Sequence, residues 1–126
     1  MGIAGASDAA LVTFNQTFSN TTSQVKTYDV IQTITLADAI VNPLISGGIA
    51  ASVTDLNGNG AVLTSIGNQA VYTALIQGNA VQSLLPGDWS FAVGSFMSDA
   101  STPASFSNIA LSSGNASGSL SIRLQF

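Results

Sequence analysis

The segment Asp55-Leu56-Asn57-Gly58-Asn59-Gly60 is the best candidate in this chain for metal-binding chemistry. Its oxygen-bearing side chains at positions one, three and five, followed by glycine at position six, match the opening half of a calcium-binding loop. Such a loop requires an acidic residue at position twelve, where this chain has Ile66, and Ca²⁺ takes about six to eight oxygen ligands. We therefore interpret the segment as the turn of a hairpin between Ile49–Leu56 and Ala61–Ile66. A weak calcium site is the alternative.

Other catalytic chemistry is limited by the residue types that the chain lacks. It has no Cys, no His and no Glu, and its six acidic residues stand singly along the sequence: Asp8, Asp29, Asp38, Asp55, Asp88 and Asp99. Without histidine there is no Ser-His-Asp relay and no imidazole proton shuttle near neutral pH. Zinc, iron–sulfur and haem sites would lack their usual ligands. We expect a protein that is not an enzyme and that has no cofactor and no metal site.

The charge balance argues against nucleic acid as a partner. Lys26 and Arg123 are the only cations, and the formal net charge is −4. Binding to phosphates depends on neutralising several of them with Lys and Arg. Charged residues make up only 6% of the chain, whereas about 25% is typical of globular domains. Ser, Thr, Asn and Gln together supply 45 of the 126 residues.

No membrane-spanning segment is expected. The longest uncharged stretches, residues 56–87 and 100–122, are interrupted by Asn, Gln, Ser and Gly. Neither contains the roughly 20 consecutive apolar residues that a transmembrane helix needs. Residues 1–12 have no basic start and no sustained apolar run, so they do not resemble a signal peptide. The absence of cysteine leaves the compartment open.

Alternation of apolar and polar residues predicts β-strands. In Ser119–Phe126 and in Asp88–Val93, every second side chain is apolar. Tyr28, Val30, Ile34 and Leu36 share one face of a longer run, Val25–Leu36, which Gln32 interrupts. Weaker runs cover Leu11–Phe18 and Ile49–Val53. Shared parity along the two strongest runs predicts these core residues: Trp89, Phe91, Val93, Leu120, Ile122, Leu124 and Phe126.

Breaks rich in Gly and Asn separate these runs at intervals of about 8 to 20 residues, a spacing typical of antiparallel sandwiches and barrels. They fall at 46–48, 57–60, 67–68, 78–79, 86–87 and 113–115. A short helical segment is expected near Leu36–Val41, ended by Asn42-Pro43. The sequence therefore predicts an all-β fold. We expect a single antiparallel β-sandwich over residues 11–126, of jelly-roll or pilin-like type, with about eight or nine strands.

Residues 1–10 are small and predict a flexible N-terminal arm. Edge strands of soluble monomers are usually guarded by charges, Lys, Pro or bulges, and this chain has few charges to use. A segment such as Ile3–Phe14 suits addition to a neighbour's open sheet edge as an extra strand. We predict self-association through strand edges and this arm, with Ile3, Leu11, Val12 and Phe14 as the anchoring side chains.

The segments Val53–Ala61, Val71–Gly78, Phe91–Phe96 and Gly118–Phe126 resemble bacterial exported β-sandwich proteins of the PEP-CTERM type. The resemblance covers residues 50–126. The Pro-Glu-Pro sorting tail of that family does not occur in this sequence. The resemblance implies an exported surface or biofilm-matrix role without known catalysis, and it transfers no functional residue.

These observations favour a non-catalytic structural or matrix protein, extracellular or at the cell surface, whose partners are other copies of itself in a fibre, pilus-like or biofilm assembly. A virion structural protein, as a small jelly-roll coat or decoration subunit, is one alternative. A carbohydrate-binding module is another. It would need an exposed aromatic platform, whereas the parity of Trp89 with Phe91 and Val93 favours a core position. An extracellular monomer, hydrated by hydroxyls and amides, is the simplest competing interpretation of the surface.

Overall fold

The computed structural model describes residues 1–5, 9–112 and 114–126, and over these residues the chain is all-β, without a helix. This confirms the predicted fold class. The strands are β1 (Gly2–Ala4), β2 (Ala9–Leu11), β3 (Asp29–Thr35), β4 (Ile40–Val41), β5 (Leu44–Ile49), β6 (Ser52–Thr54), β7 (Ala61–Thr64), β8 (Tyr72–Ile76), β9 (Asn79–Leu84), β10 (Ser90–Val93), β11 (Ser98–Ala100), β12 (Ala104–Ala110), β13 (Asn115–Ala116) and β14 (Ser119–Gln125).

Ten of these strands form one long antiparallel ribbon. β3, β4, β5, β6 and β7 pair in turn with β14, β13, β12, β11 and β10, so that residues 29–64 run against residues 90–125. Short irregular steps divide the ribbon where the backbone takes positive φ, for example at Asn42 (46°) and at Gly118 (73°). Each step lets the ribbon bend and change sheet, since bulges and left-handed residues increase local twist.

A hairpin of β8 and β9 closes the ribbon and folds back onto it. β8 pairs with β14 on one side and with β9 on the other, giving a four-stranded sheet in the order β3-β14-β8-β9. Gln77 and Gly78 link β8 to β9, and both have positive φ, 51° and 76°. Two consecutive positive φ values are the requirement of the tight type I′ hairpin turn.

The N-terminal residues are built into the second four-stranded sheet, whose order is β12-β5-β1-β2. Ile3 lies opposite Ile45 of β5 and opposite Ala10 of β2. The ammonium of Met1 donates to the carbonyl of Val12 at 2.8 Å, and the Val12 N–H donates to the carbonyl of Met1 at 2.9 Å. The described part of the predicted arm is therefore paired within its own chain. Residues 6–8 of that arm lie outside the described residues.

The two four-stranded sheets contribute side chains to one hydrophobic core. Its buried members include Ile3 and Ile45 from one sheet and Tyr72, Leu120 and Ile122 from the other. Of the predicted core residues, Leu120 and Ile122 are buried. The others are half-buried, and of these only Leu124 packs against that core, so the core prediction is wrong for Trp89, Phe91, Val93 and Phe126. The expected parity thus holds for β14, although Ser121 on its opposite face is buried as well.

Several local expectations differ from the observed fold. The predicted helical segment near Leu36–Val41 is absent, because Ile40 is buried and pairs with Ala116 in β4–β13. β6 and β7 do not form the predicted hairpin, since each pairs with a strand from the other half of the ribbon. Residues 12–28 contain no strand. The described residues form fourteen short strands in five sheets, instead of eight or nine strands in a single sandwich.

Candidate functional site

The four predicted anchors of self-association occupy very different environments. Ile3 and Val12 are each 2% exposed and belong to the chain's own core. Phe14 is half-buried against that core, and Leu11 is 68% exposed. Of the four, only Leu11 is exposed enough to contact a neighbouring molecule in this structure. The role of the other three in contacts between chains stays a prediction. It would require the N-terminal strands to leave their own sheet.

Strand β3 lies at the edge of its sheet, with no further strand beside it in the described part of the chain. Just before β3, Tyr28 and Phe126 exchange two main-chain hydrogen bonds of 2.6 and 3.0 Å. Bonded and non-bonded pairs alternate along an antiparallel ladder, so the even-numbered residues of β3 bond to β14. The N–H and C=O groups of its odd-numbered residues point away from β14, towards the open edge. These residues are Asp29, Ile31, Thr33 and Thr35.

The β14 side of the ladder agrees with this alternation. The N–H of Gln125, which lies opposite Asp29, donates to the carbonyl of Val71 at 2.9 Å and therefore points towards β8. The N–H of Gln77 likewise donates to the carbonyl of Ser119 at 2.9 Å. Odd-numbered residues of β14 thus bond to the β8 side, and only its even-numbered residues bond to β3.

The β3 edge carries few of the features that usually prevent edge-to-edge pairing. β3 pairs with β14 over seven residues without a register shift, and it contains no Pro and no Lys. The other long edges of the four-stranded sheets are less regular. The ladder of β12 shifts between Phe106 and Ile109, and that of β9 shifts opposite Ala74 and Leu75. Bulges of this kind disrupt edges and discourage further pairing.

The single charge on β3 is neutralised within the chain. The Asp29 carboxylate accepts hydrogen bonds from Nε of Arg123 at 2.9 Å and from its terminal nitrogen at 2.5 Å, and from Gln125 at 3.2 Å. The bond from Arg123 is the main cause that holds the pKa of Asp29 below its ordinary value. Asp29 is therefore a weak electrostatic guard for this edge.

The Asp55 carboxylate joins the two facing loops in the middle of the ribbon. Its Oδ2 accepts N–H hydrogen bonds from Phe96 at 2.8 Å, Gly58 at 2.9 Å and Gly60 at 3.1 Å, and its Oδ1 accepts a longer one from Asn57 at 3.4 Å. The side chain is buried. These bonds lower the pKa of Asp55 below its ordinary value, with the largest contribution from the Phe96 N–H, against the opposing effect of desolvation. The segment 55–60 is thus a loop held to segment 94–97, and its acidic group is engaged by donors.

Calcium is expected to have little effect on this loop. The Asp55 carboxylate already accepts four N–H groups, and over the described residues no three His, Cys, Asp or Glu side chains cluster as metal ligands do. We predict that millimolar CaCl2 changes the melting temperature by less than about 2 °C, since a ligand stabilises only when it binds the native state. A rise of several degrees that EDTA reverses would contradict this prediction.

Three large apolar side chains project from the same pair of loops. Leu56, Phe96 and Met97 are 84%, 73% and 58% exposed. The Phe96 ring lies over Gly58, where a β-carbon would come within 2.4 Å of it, and the φ of Gly58 is 85°. Asp55 fixes the backbone that carries these side chains, so they form an exposed apolar tip on an ordered support.

A cleft of about 1090 Å³ lies between segment 12–28 and parts of strands β5 to β8 and β14. Ile122, Leu124 and Val71 contribute apolar surface to it, and the segment 12–28 contributes mainly Asn, Gln, Ser and Thr. Among the described residues that line it, Lys26 is the one with a charged side chain, and Met1 adds its N-terminal ammonium. The rings of Phe18, Tyr28 and Phe126 pack together there, with centroids 4.8, 4.9 and 5.5 Å apart.

Sequence reasoning identified the run that becomes β3 but not its position at an open edge, which depends on pairing with a segment about ninety residues away. In the part of the chain that the structure describes, no helix has the length and apolar character needed to cross a membrane. Comparison with family models, with curated proteins and with solved structures gives no significant match.

Proposed function

We propose that this chain is a non-catalytic structural subunit that assembles with copies of itself through open sheet edges. The observation that carries the proposal is the edge of β3, where four residues present their main-chain N–H and C=O groups outwards along seven regularly paired residues. A long, regular, weakly charged edge is a template for another strand.

The scarcity of charge supports the same function. With 6% charged residues, the surface places few charged side chains at any contact between copies, so few unfavourable charge pairs or buried charges oppose assembly. The exposed apolar tip at Leu56, Phe96 and Met97 offers a second contact surface, which growth beyond a dimer would require. An extracellular or cell-surface matrix is the setting that we propose. A closed shell, as in a virion, would use the same contacts with a different symmetry, and electron microscopy distinguishes shells from fibres.

The test is to place a cation on the β3 edge. Ile31 is 57% exposed, and we expect Ile31→Lys to abolish or strongly weaken assembly, because the lysine charges of two copies would repel each other across the paired strands. Light scattering behind size exclusion should show the wild-type mass rising with concentration, while the variant stays at the mass of a single chain.

Val62→Lys is the matched control: Val62 is 62% exposed on β7, an edge strand of a separate two-stranded sheet, so the pair of variants compares the β3 edge with a different open edge. It should assemble as the wild type does. Deleting residues 1–14 is a poorer test, since it removes Ile3 and Val12 from the core. A wild type that remains monomeric at millimolar concentration would rule out self-assembly. If both lysine variants assemble equally well, the β3 edge does not take part in self-assembly.

The cleft supports binding of a neutral oligosaccharide as a second candidate function. Its amide and hydroxyl groups, its nearly uncharged lining and the rings of Phe18, Tyr28 and Phe126 suit sugar hydroxyls and sugar faces. Calorimetry with neutral hexasaccharides tests this candidate. Binding that Phe18→Ala abolishes would support it, and no heat with any neutral glycan would exclude it.

A further inference from the structure

We infer that two copies of this chain pair through β3 in antiparallel fashion, about a two-fold axis that passes through Gln32. The inference rests on the proposed self-assembly and adds the partner strand, the register and the symmetry. Pairing of this kind would join the two sheets β3-β14-β8-β9 into one continuous eight-stranded sheet, because each copy contributes four strands.

The direction of the open hydrogen-bonding groups determines the register. Only the odd-numbered residues of β3 present these groups at the edge, so bonded pairs between two copies must match odd with odd. With the axis at Gln32, Asp29 lies opposite Thr35 and Ile31 lies opposite Thr33. All four outward-facing residues of both strands are then used, whereas an axis at Ile31 or Thr33 leaves at least one residue of each copy unpaired.

The side chains suit this register on both faces of the strand. On the outer face, each Asp29 lies opposite a threonine and keeps its own Arg123, so no like charges meet across the junction. Ile31 lies opposite Thr33, and pairs of β-branched side chains are favourable across strands. The outer face of the junction therefore pairs apolar and hydroxyl groups, with no like charges opposite each other.

On the inner face, the register explains an otherwise unfavourable polar residue. Gln32 interrupts the half-buried row of Val30, Ile34 and Leu36 and is itself exposed in the single chain. On the axis it would lie opposite Gln32 of the second copy, where the two amides can donate to and accept from each other. Val30 would lie opposite Ile34 of the second copy, and the junction would cover apolar surface that a single chain leaves half-exposed.

Disulfide trapping tests the register, and the chain contains no cysteine of its own. In the proposed register, the two copies of residue 32 form a non-bonded pair whose Cα atoms lie about 4.5 Å apart, within the range of disulfides. Gln32→Cys should therefore form a covalent dimer under mild oxidation roughly ten-fold faster than Val62→Cys, an exposed strand position away from this edge. Ile31→Cys and Thr33→Cys should be slower than Gln32→Cys, because in this register neither residue faces its own copy.

The outcomes separate this inference from the proposed function. If the wild type assembles but Gln32→Cys crosslinks no faster than Val62→Cys, the β3 junction is wrong and self-assembly stands. If Ile31→Cys or Thr33→Cys crosslinks fastest, the axis at Gln32 is wrong. A monomeric wild type overturns both proposals. Fast crosslinking at residue 32, together with loss of assembly in Ile31→Lys, supports both.

Discussion

Asp55→Ala is expected to lower the melting temperature by roughly 5–10 °C, because buried donors that lose their acceptor cost free energy. The carboxylate accepts N–H groups from both loops of the ribbon, including Gly58 and Gly60 on its own loop and Phe96 on the other. Alanine would leave these donors without an acceptor and would release segment 94–97 from segment 55–60. Differential scanning calorimetry measures the change directly.

Asp55→Asn separates the hydrogen bonds from the charge. Three of the four donors converge on Oδ2, so an amide oxygen in that position can keep them while the amide nitrogen takes the place of Oδ1. We expect a smaller loss of stability than for alanine. Asp88→Ala, at an exposed aspartate in the turn before β10, is the matched control and should change the melting temperature little.

The acid dependence of stability provides a second measurement on the same variants. The pKa of Asp55 is lowered in the folded chain. The ionised carboxylate therefore makes its full contribution to folding stability above the unfolded pKa of about 4, and this contribution is lost as the pH falls through the folded pKa. Asp55→Asn should therefore show a weaker loss of stability below pH 4 than the wild type. Equal acid dependence of the two proteins, or an unchanged melting temperature in Asp55→Ala, would show that this carboxylate does not hold the loops together.

Strands with strict alternation could be predicted because alternation is a local property of the sequence. The run Ser119–Phe126 contains β14, Asp88–Val93 contains β10, and Val25–Leu36 contains β3. In β3 the predicted apolar face is the half-buried one, since Val30 and Ile34 are less exposed than their neighbours. For these runs, period two decides both the element type and the face that turns inwards.

Local composition predicted a break at residues 46–48 that the structure does not contain, because glycine serves close packing as well as turns. Ser46-Gly47-Gly48 was expected to interrupt the chain, but these residues lie inside β5. A β-carbon at Gly47 would come within 2.7 Å of both the Tyr72 hydroxyl and the Phe106 ring. Glycine is needed there for close packing and not for a turn. No local pattern reveals this, since the neighbours lie 25 and 59 residues away.

The environment of the polar face of β14 likewise cannot be predicted from the local sequence. Alternation places Ser121 on the polar face of β14, yet Ser121 is 4% exposed, and its hydroxyl lies 2.8 Å from that of Thr33 on β3. Parity assigned the side chain to the correct face, but only the register with β3 supplies its partner. The open edge of β3 could not be predicted from the sequence for the same reason, because a strand lies at an edge only when no other strand pairs beside it.

Tyr72→Phe is expected to stabilise the protein by about 1–2 kcal/mol, because a buried hydroxyl without a partner costs about that much. Tyr72 is 1% exposed, and its hydroxyl has no hydrogen-bond partner among the described residues. Its ring packs in the core with Phe106, at a centroid distance of 6.3 Å, and phenylalanine preserves this contact. Tyr28→Phe is the matched control, because the Tyr28 hydroxyl donates to the carbonyl of Ser19 at 3.0 Å and its loss should not stabilise.

The change of stability with pH under alkaline conditions is an independent test of the environment of Tyr72. Burial raises the pKa of Tyr72 to about 12 from an ordinary value of 10. A group whose pKa is raised in the folded state makes its full contribution to stability below its unfolded pKa. That contribution is lost as the pH rises through the folded pKa. The wild type should therefore lose stability between about pH 10 and 12 relative to Tyr72→Phe, and the comparison cancels every other titrating group.

The chain has only two tyrosines, so in Tyr28→Phe the ultraviolet titration of phenolate reports Tyr72 alone. We expect that titration to occur near pH 12, the raised pKa of Tyr72, and to coincide with unfolding, because the ionised ring cannot remain in an apolar core without a partner. A midpoint near 10 in the folded protein would mean that water reaches the hydroxyl. In that case Tyr72→Phe would lose a hydrated group instead of an unpaired one, and its stability should fall to or below that of the wild type.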